Sequence, residues 1–382
     1  MKKTAKPDKK RLLFIFGTRP EAIKMAPLIL RLKRSCHVIV CATGQHREMA
    51  DQVLSFFSVK PDFDLSIMTP NQSLFDLTAS CLKRLENVID RSAPDLILVQ
   101  GDTTTAFVGA LAGFYKKVPV AHIEAGLRSF NKLSPYPEEM NRLLAARLSD
   151  LHFAPTAAAR ENLIKEGIPA RRVYITGNTV IDALLKGLEI VKKDEGRYRK
   201  SFRSIDFTKK IILVTAHRRE SFGKPLEEVF GALKELAADE GVEIVYPVHP
   251  NPNVRASADR ILKGARNIHL IEPLDYPHLI WLMHKSTIIL TDSGGIQEEA
   301  PSLGKPMLVL RDVTERMEGI KAGTAILVGT DRKKIISKAR ALLSRGALYN
   351  KMSKARNPYG NGKACEKIEK ILANEFKKHR EK

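Results

Sequence analysis

A chain of 382 residues is longer than one ordinary core accommodates, so two domains of roughly 100–200 residues are expected. Its 43% apolar and 28% charged residues exclude a disordered or fibrous protein, and no apolar stretch approaches the ~20 residues that cross a bilayer. The formal net charge of +21 admits nucleic acid, an anionic membrane or an anionic small molecule as partner.

Short apolar runs alternate with longer helical patterns. In chain order, strands are predicted at Leu12–Phe16, His37–Cys41, Leu96–Val99, Val118–His122, Ile211–Thr215, Glu243–Pro247, Ile288–Thr291 and Pro306–Leu310. They are rich in Val, Ile and Leu with little polar alternation. Strands buried on both faces read this way, so parallel sheets covered by helices are expected. The alternation predicts an α/β fold of two doubly wound, Rossmann-like domains. The first is expected over 10–176 and the second over 177–362, with the boundary near Gly177 and Asn178 to Leu188 as the first helix of the second half. Open α/β sheets bind ligands beyond the carboxyl ends of their strands. Two such domains facing each other predict an interdomain active-site cleft.

Much of the basic excess sits at the ends, in Lys2, Lys3, Lys6, Lys9, Lys10 and Arg11, then Lys377, Lys378, Arg380 and Lys382. No aromatic-interleaved basic motif or zinc finger accompanies them, so no specific nucleic-acid partner is expected and the tails read as solvated charge. The four cysteines form no C-x-x-C pair and no metal-ligand spacing is visible, which predicts free thiols in a cytoplasmic protein without a metal site.

The unusual residues fall just after strand ends. Gly17-Thr18-Arg19-Pro20-Glu21-Ala22-Ile23-Lys24 reads either as a phosphate-facing turn or as a surface loop with two solvated cations. Asp102, in Gly101-Asp102-Thr103, could cap the next helix or face a cleft. Glu124, in His122-Ile123-Glu124-Ala125-Gly126-Leu127-Arg128, is costly to bury without purpose. Glu138 and Arg142 stand i, i+4 and could form an ordinary helix pair. Carboxylates after successive strands can divide acid and base roles between them, which suits glycoside hydrolysis, proton abstraction or metal binding. In the second half, Ala216-His217-Arg218-Arg219-Glu220 suits a diphosphate, and Ser293-Gly294-Gly295 at a strand-to-helix junction can offer amides and a hydroxyl to phosphate. Glu299, one turn into that helix, could reach a ribose, and His249 and His46 read as supporting groups.

These motifs, with Gly44-Gln45-His46-Arg47, Pro137-Glu138-Glu139-Met140-Asn141-Arg142 and Ser293-Gly294-Gly295-Ile296-Gln297-Glu298-Glu299, occur in one order along the chain. Together they resemble the non-hydrolysing UDP-N-acetylglucosamine 2-epimerases from about Leu12 to Ala373. The resemblance implies a glycosyltransferase-B-like pair of Rossmann domains, a homodimer, and a C-terminal helix from about 363 to 380 packing back on the first domain. It implies conversion of UDP-N-acetylglucosamine to UDP-N-acetylmannosamine by UDP elimination and re-addition through 2-acetamidoglucal, needing neither NAD nor an obligatory metal. Asp102, Glu124, Glu138 and His217 match catalytic positions. Arg19, Lys24, Arg142, Ser293, Gly294, Gly295 and Arg316 match substrate or diphosphate contacts, and Glu299 the ribose contact. Leu274 to Leu279 match the uracil pocket, with Leu279 where the family often carries an aromatic residue. Gln45, Arg218 and His249 match an allosteric UDP-sugar site. There Glu48 replaces the Gln often found in regulated members, and Asn71 lies where they can carry Arg. A hydrolysing relative and a true glycosyltransferase on this fold are the competing enzyme readings.

Overall fold

A computed structural model of the chain describes residues 9–44, 47–69, 72–218 and 222–378. The chain folds into two compact units, Met1–Ala183 with Gly360–Lys382, and Leu184–Tyr359. The first holds a seven-stranded, wholly parallel sheet. Its strands are β1 (Arg11–Phe16), β2 (His37–Ala42), β3 (Phe63–Asp64), β4 (Leu96–Gln100), β5 (Val120–Ile123), β6 (Leu151–Ala154) and β7 (Val173–Ile175), in the order β3-β2-β1-β4-β5-β6-β7. The second holds a six-stranded parallel sheet of β8 (Lys210–Thr215), β9 (Val242–Pro247), β10 (Ile268–Ile271), β11 (Ile288–Thr291), β12 (Met307–Val309) and β13 (Ala325–Leu327), ordered β10-β9-β8-β11-β12-β13. Both orders reverse direction beside their first strand. Each unit therefore has the switch point at which doubly wound sheets take their ligands.

Burial explains the strands. Leu12 to Phe16 are wholly inaccessible, as are Ile97, Leu98 and Val99, because helices cover both faces. The helix Thr104–Tyr115 lies close on the first sheet. A Cβ on Gly113 would stand 2.6 Å from a methyl of Val120, so only glycine permits that approach. Thr103 caps this helix by accepting from the Ala106 amide, which gives the capping role to Thr103 and leaves Asp102 for other work.

Every predicted strand is present. The predicted strands do not include β3, β6, β7, β10 or β13. The boundary lies between Ala183 and Leu184, inside the helix Thr179–Lys193, downstream of Gly177. The start of that helix belongs with the first unit because Asp182 is buried there and accepts the amides of Ala364 and Cys365 at 3.1 and 3.0 Å. The C-terminal helix runs Ala364–Lys378 and packs on the helix Arg19–Leu32, with Arg31 Nε 2.6 Å from Glu369. Among the described residues no helix is long and apolar enough to cross a membrane.

Candidate active site

In the first unit, β1 ends in a turn fixed by a carboxylate that the motif reading left without a role. Glu21 is buried, accepts the amides of Gly17 and Thr18 at 3.0 and 2.8 Å, and accepts from the Thr103 hydroxyl at 2.7 Å. Burial raises its pKa. The turn after β1 is thereby tied to the turn after β4. Arg19, half-buried, is the first residue of the helix that follows.

Glu124 follows β5 with its backbone in the left-handed region, φ +62°, and its carboxylate is buried. A non-glycine residue held there is uncommon and marks a position fixed by its surroundings. Lys24 donates to both carboxylate oxygens, at 2.7 and 2.6 Å. Asn178 donates to Oε1 at 2.8 Å and Gln100, the last residue of β4, to Oε2. A buried carboxylate with such partners is compensated rather than stranded. Lys24 is thus directed to Glu124. The neighbouring turn brings Asp102 in, one-third exposed, with Arg142 Nη2 on its carboxylate. Gly101 has φ +71°, and a Cβ there would lie 3.5 Å from Glu124 Oε2. His122 Nε2 meets the Gly101 carbonyl at 2.7 Å, and burial lowers its pKa to about 4, so its ring is neutral at pH 7.

Glu138 opens the helix Glu138–Leu148, half-buried. The i, i+4 pair with Arg142 is not what forms. Arg142 Nη1 lies 3.1 Å from Glu139 instead, while its other amino group holds Asp102. Glu139 is buried and also accepts the amides of Ser129 and Phe130. Arg142 therefore positions Asp102, and Glu138 is left to its own devices at the helix start.

In the second unit, Asp292 after β11 is the organiser. It is buried and accepts the amides of His217 and Arg218, at 2.6 and 2.8 Å. Its other oxygen lies 3.2 Å from His217 Nδ1. The His217 ring stacks on that of His249, centroids 5.3 Å apart and planes 7° from parallel. Ser293 precedes the short helix Gly294–Glu299, with the backbone of Gly295 exposed. Arg316 is held by Glu298 at 2.9 Å, and a Cβ on Gly294 would come within 3.5 Å of its guanidinium. Glu299 is buried and accepts from the Tyr276 hydroxyl at 2.8 Å. Burial and that carboxylate raise the Tyr276 pKa far above its usual range. Leu274 and Leu279 flank the start of the helix Tyr276–Lys285, both half-buried, with Asp275 capping it through the His278 amide. Gln45, His46 and Asn71, and the side chain of Glu48, lie outside the described residues, as do Arg219 and Glu220.

Comparison with known proteins identifies the family. The family described as UDP-N-acetylglucosamine 2-epimerase matches residues 30–373. The chain is 51% identical to the UDP-N-acetylglucosamine 2-epimerase of Campylobacter jejuni, covering 95% of this chain and 97% of that one. The chain belongs to the UDP-N-acetylglucosamine 2-epimerase family. Its fold agrees: the crystal structure of the Neisseria meningitidis UDP-GlcNAc 2-epimerase bound to UDP-GlcNAc superposes with TM-score 0.87 at 50% identity, covering 95% of this chain and all of that one. The Methanocaldococcus jannaschii enzyme in complex with UDP-GlcNAc and UDP superposes with TM-score 0.78 at 35% identity, covering 95% and 99%.

For a member of this epimerase family, the groups the motif reading left without roles are informative. Gln100 is a buried amide ending an otherwise apolar strand, and Asp292 a buried acid just after another. Both are expensive unless paired, and that cost was the available signal. Asn178 carried no such signal, because its partner Glu124 lies 54 positions away, and Glu139 reads as an ordinary acid at a helix start.

Proposed function

We propose that this epimerase interconverts UDP-N-acetylglucosamine and UDP-N-acetylmannosamine by eliminating and re-adding UDP. The observation that carries the proposal is Glu124: a buried carboxylate, aimed by a left-handed backbone and three donors, beside Asp102 on the next strand's turn. The hydrogen at C2 of the sugar is not acidic. Departure of UDP with the C1–O electron pair gives C1 oxocarbenium character, and a carboxylate then takes the C2 proton to leave neutral 2-acetamidoglucal. UDP returns to C1 while an acid delivers a proton to C2 on the opposite face. Asp102, Glu124 and Glu138 supply these proton transfers and steady the cationic ring. The first unit thus acts on the sugar. The second holds UDP, with His217, the amides after Ser293 and Arg316 on the diphosphate, Glu299 on the ribose, and Leu274 and Leu279 against the base. No cofactor enters this sequence, and all four cysteines are free thiols, which fits a reducing cytoplasm.

Turnover in D2O followed by proton NMR tests the mechanism. Every turnover breaks the C2–H bond, so N-acetylmannosamine product carries deuterium at C2. Product that keeps its C2 hydrogen contradicts elimination. Accumulation of free N-acetylmannosamine and UDP would place the chain among the hydrolysing relatives instead.

UDP binding tests the proposed diphosphate contacts separately, Arg19 in the first unit and His217 in the second. His217→Asn and Arg19→Ala each weaken UDP about ten- to hundredfold by calorimetry, since charge-assisted hydrogen bonds contribute roughly 1.5–3 kcal/mol. Unchanged titrations would remove both residues from the diphosphate.

The protein is also proposed to act as a homodimer. Phe114 and Tyr115 are 60% and 62% exposed at the end of the helix Thr104–Tyr115, and Phe75 is 88% exposed on the helix Leu74–Ser92 packed beside it. A hollow of about 380 Å³ lies there, lined by Ala79, Leu82, Ala112 and Tyr115 together with Lys83, Glu86 and Lys116. Apolar surface of this kind marks a protein contact. Light scattering then gives twice the chain mass, and Phe114→Glu gives one chain mass. A monomeric wild type would refute the assignment.

A further inference from the structure

The basic chain ends have no part in the reaction above, yet the fold gathers them. Strand β1 begins at Arg11, and the C-terminal helix ends at Lys378 beside it: Lys10 Nζ stands 6.0 Å from the centre of the Phe376 ring. The two meet over a hollow of about 430 Å³. Its rim carries Lys9 and Lys10 on one side and Lys370 and Lys377 on the other; its apolar floor is Ala373, exposed, and Phe376, half-buried, above the buried Leu32 and Leu372, and Ser35, Cys36 and Glu369 complete the lining. Lys9, Lys370 and Lys377 are exposed. The acids nearby are already matched: Asp95 by Lys10 at 2.6 Å, Glu366 by Lys370 at 2.6 Å, Glu369 by Arg31 at 2.6 Å and Glu375 by Lys378 at 2.7 Å. Beyond the rim the sequence continues with Lys2, Lys3 and Lys6 on one end and Arg380 and Lys382 on the other.

We infer that this face docks on an anionic phospholipid bilayer as a peripheral contact. An apolar floor under a ring of lysines matches a bilayer surface, which offers phosphates at one depth and acyl chains just below. Nucleic acid would satisfy the rim and leave the floor unmet. Clusters of this size attract anionic membrane at roughly a fivefold gain in affinity per lysine, screened by salt.

Sedimentation of the full chain with lipid vesicles tests this. It pellets with phosphatidylcholine mixed with phosphatidylglycerol, stays in solution with phosphatidylcholine alone, and is released by raised salt. Neutralising Lys9, Lys370 and Lys377 together to Gln weakens vesicle binding about a hundredfold and leaves epimerase turnover unchanged. Neutralising Lys60, Lys263 and Lys333, exposed elsewhere, changes binding by no more than a few-fold. Equal binding to both vesicles, equal loss in the two triple variants, or binding of single-stranded RNA without vesicle binding overturns the inference.

Discussion

Glu124→Gln lowers turnover about 10²–10⁴-fold and leaves the affinity for UDP within a few-fold of the wild type. A positioned acid or base contributes on that scale, and a group that acts on the sugar ring leaves the nucleotide contacts alone. The structure adds a second cost. Glu124 accepts at both oxygens, from Lys24 and Asn178 at one and from Lys24 and Gln100 at the other. A glutamine keeps one acceptor and turns its amino group on a donor, so stability falls by about 1–3 kcal/mol as well. Steady-state kinetics beside calorimetry with UDP separates the effects. Near-normal turnover in a folded Glu124→Gln protein would sink the assignment of this carboxylate.

Gly126→Ala is expected to lower the unfolding free energy by about 2–5 kcal/mol, the sum of overpacking and a left-handed backbone penalty. Gly126 has φ +92°, and an added Cβ would stand 2.1 Å from the carbonyl oxygen of Ala159, a backbone atom that cannot rotate away. This glycine lets the chain leaving Glu124 slip beneath the helix Ala157–Lys165. Gly223→Ala shows a backbone cost without a clash: its φ is +81° and ψ −138°, but nothing lies within 4 Å of the added carbon, so a loss of about 1–3 kcal/mol is expected. Urea titration of the two variants checks the ranking. Equal midpoints would mean that the Ala159 contact carries no weight.

All but one of the strands read from sequence carry three or more consecutive apolar residues. Those missed are short or interrupted: β3 has two residues, β7 and β13 three each, and β6 and β10 carry His152 and His269 within them. Such segments become strands because neighbouring strands pair with them, information that no local pattern holds. The site shows the same division. Asp102 and Glu124 stood out as acids after buried strands. Their partners did not, because Arg142 reaches Asp102 across 40 positions and Lys24 reaches Glu124 across 100. Local spacing favoured Glu138 for Arg142. The fold gave Arg142 to Glu139 and Asp102, since Glu139 is already fixed by the Ser129 and Phe130 amides.

The return of the last helix to the first unit has a consequence for the order of biosynthesis. Ribosomal synthesis releases the chain from its N-terminus, and domains ordinarily fold in that order. Here the later unit, Leu184–Tyr359, is contiguous and can close once the helix Ala347–Ser353, which adds Met352 to its core, has emerged. The earlier unit must wait. Asp182 stays without the amides of Ala364 and Cys365, and the apolar side of the helix Arg19–Leu32 stays uncovered by Ile368 and Leu372, until the helix Ala364–Lys378 leaves the ribosome. The half of the molecule made first is the half completed last.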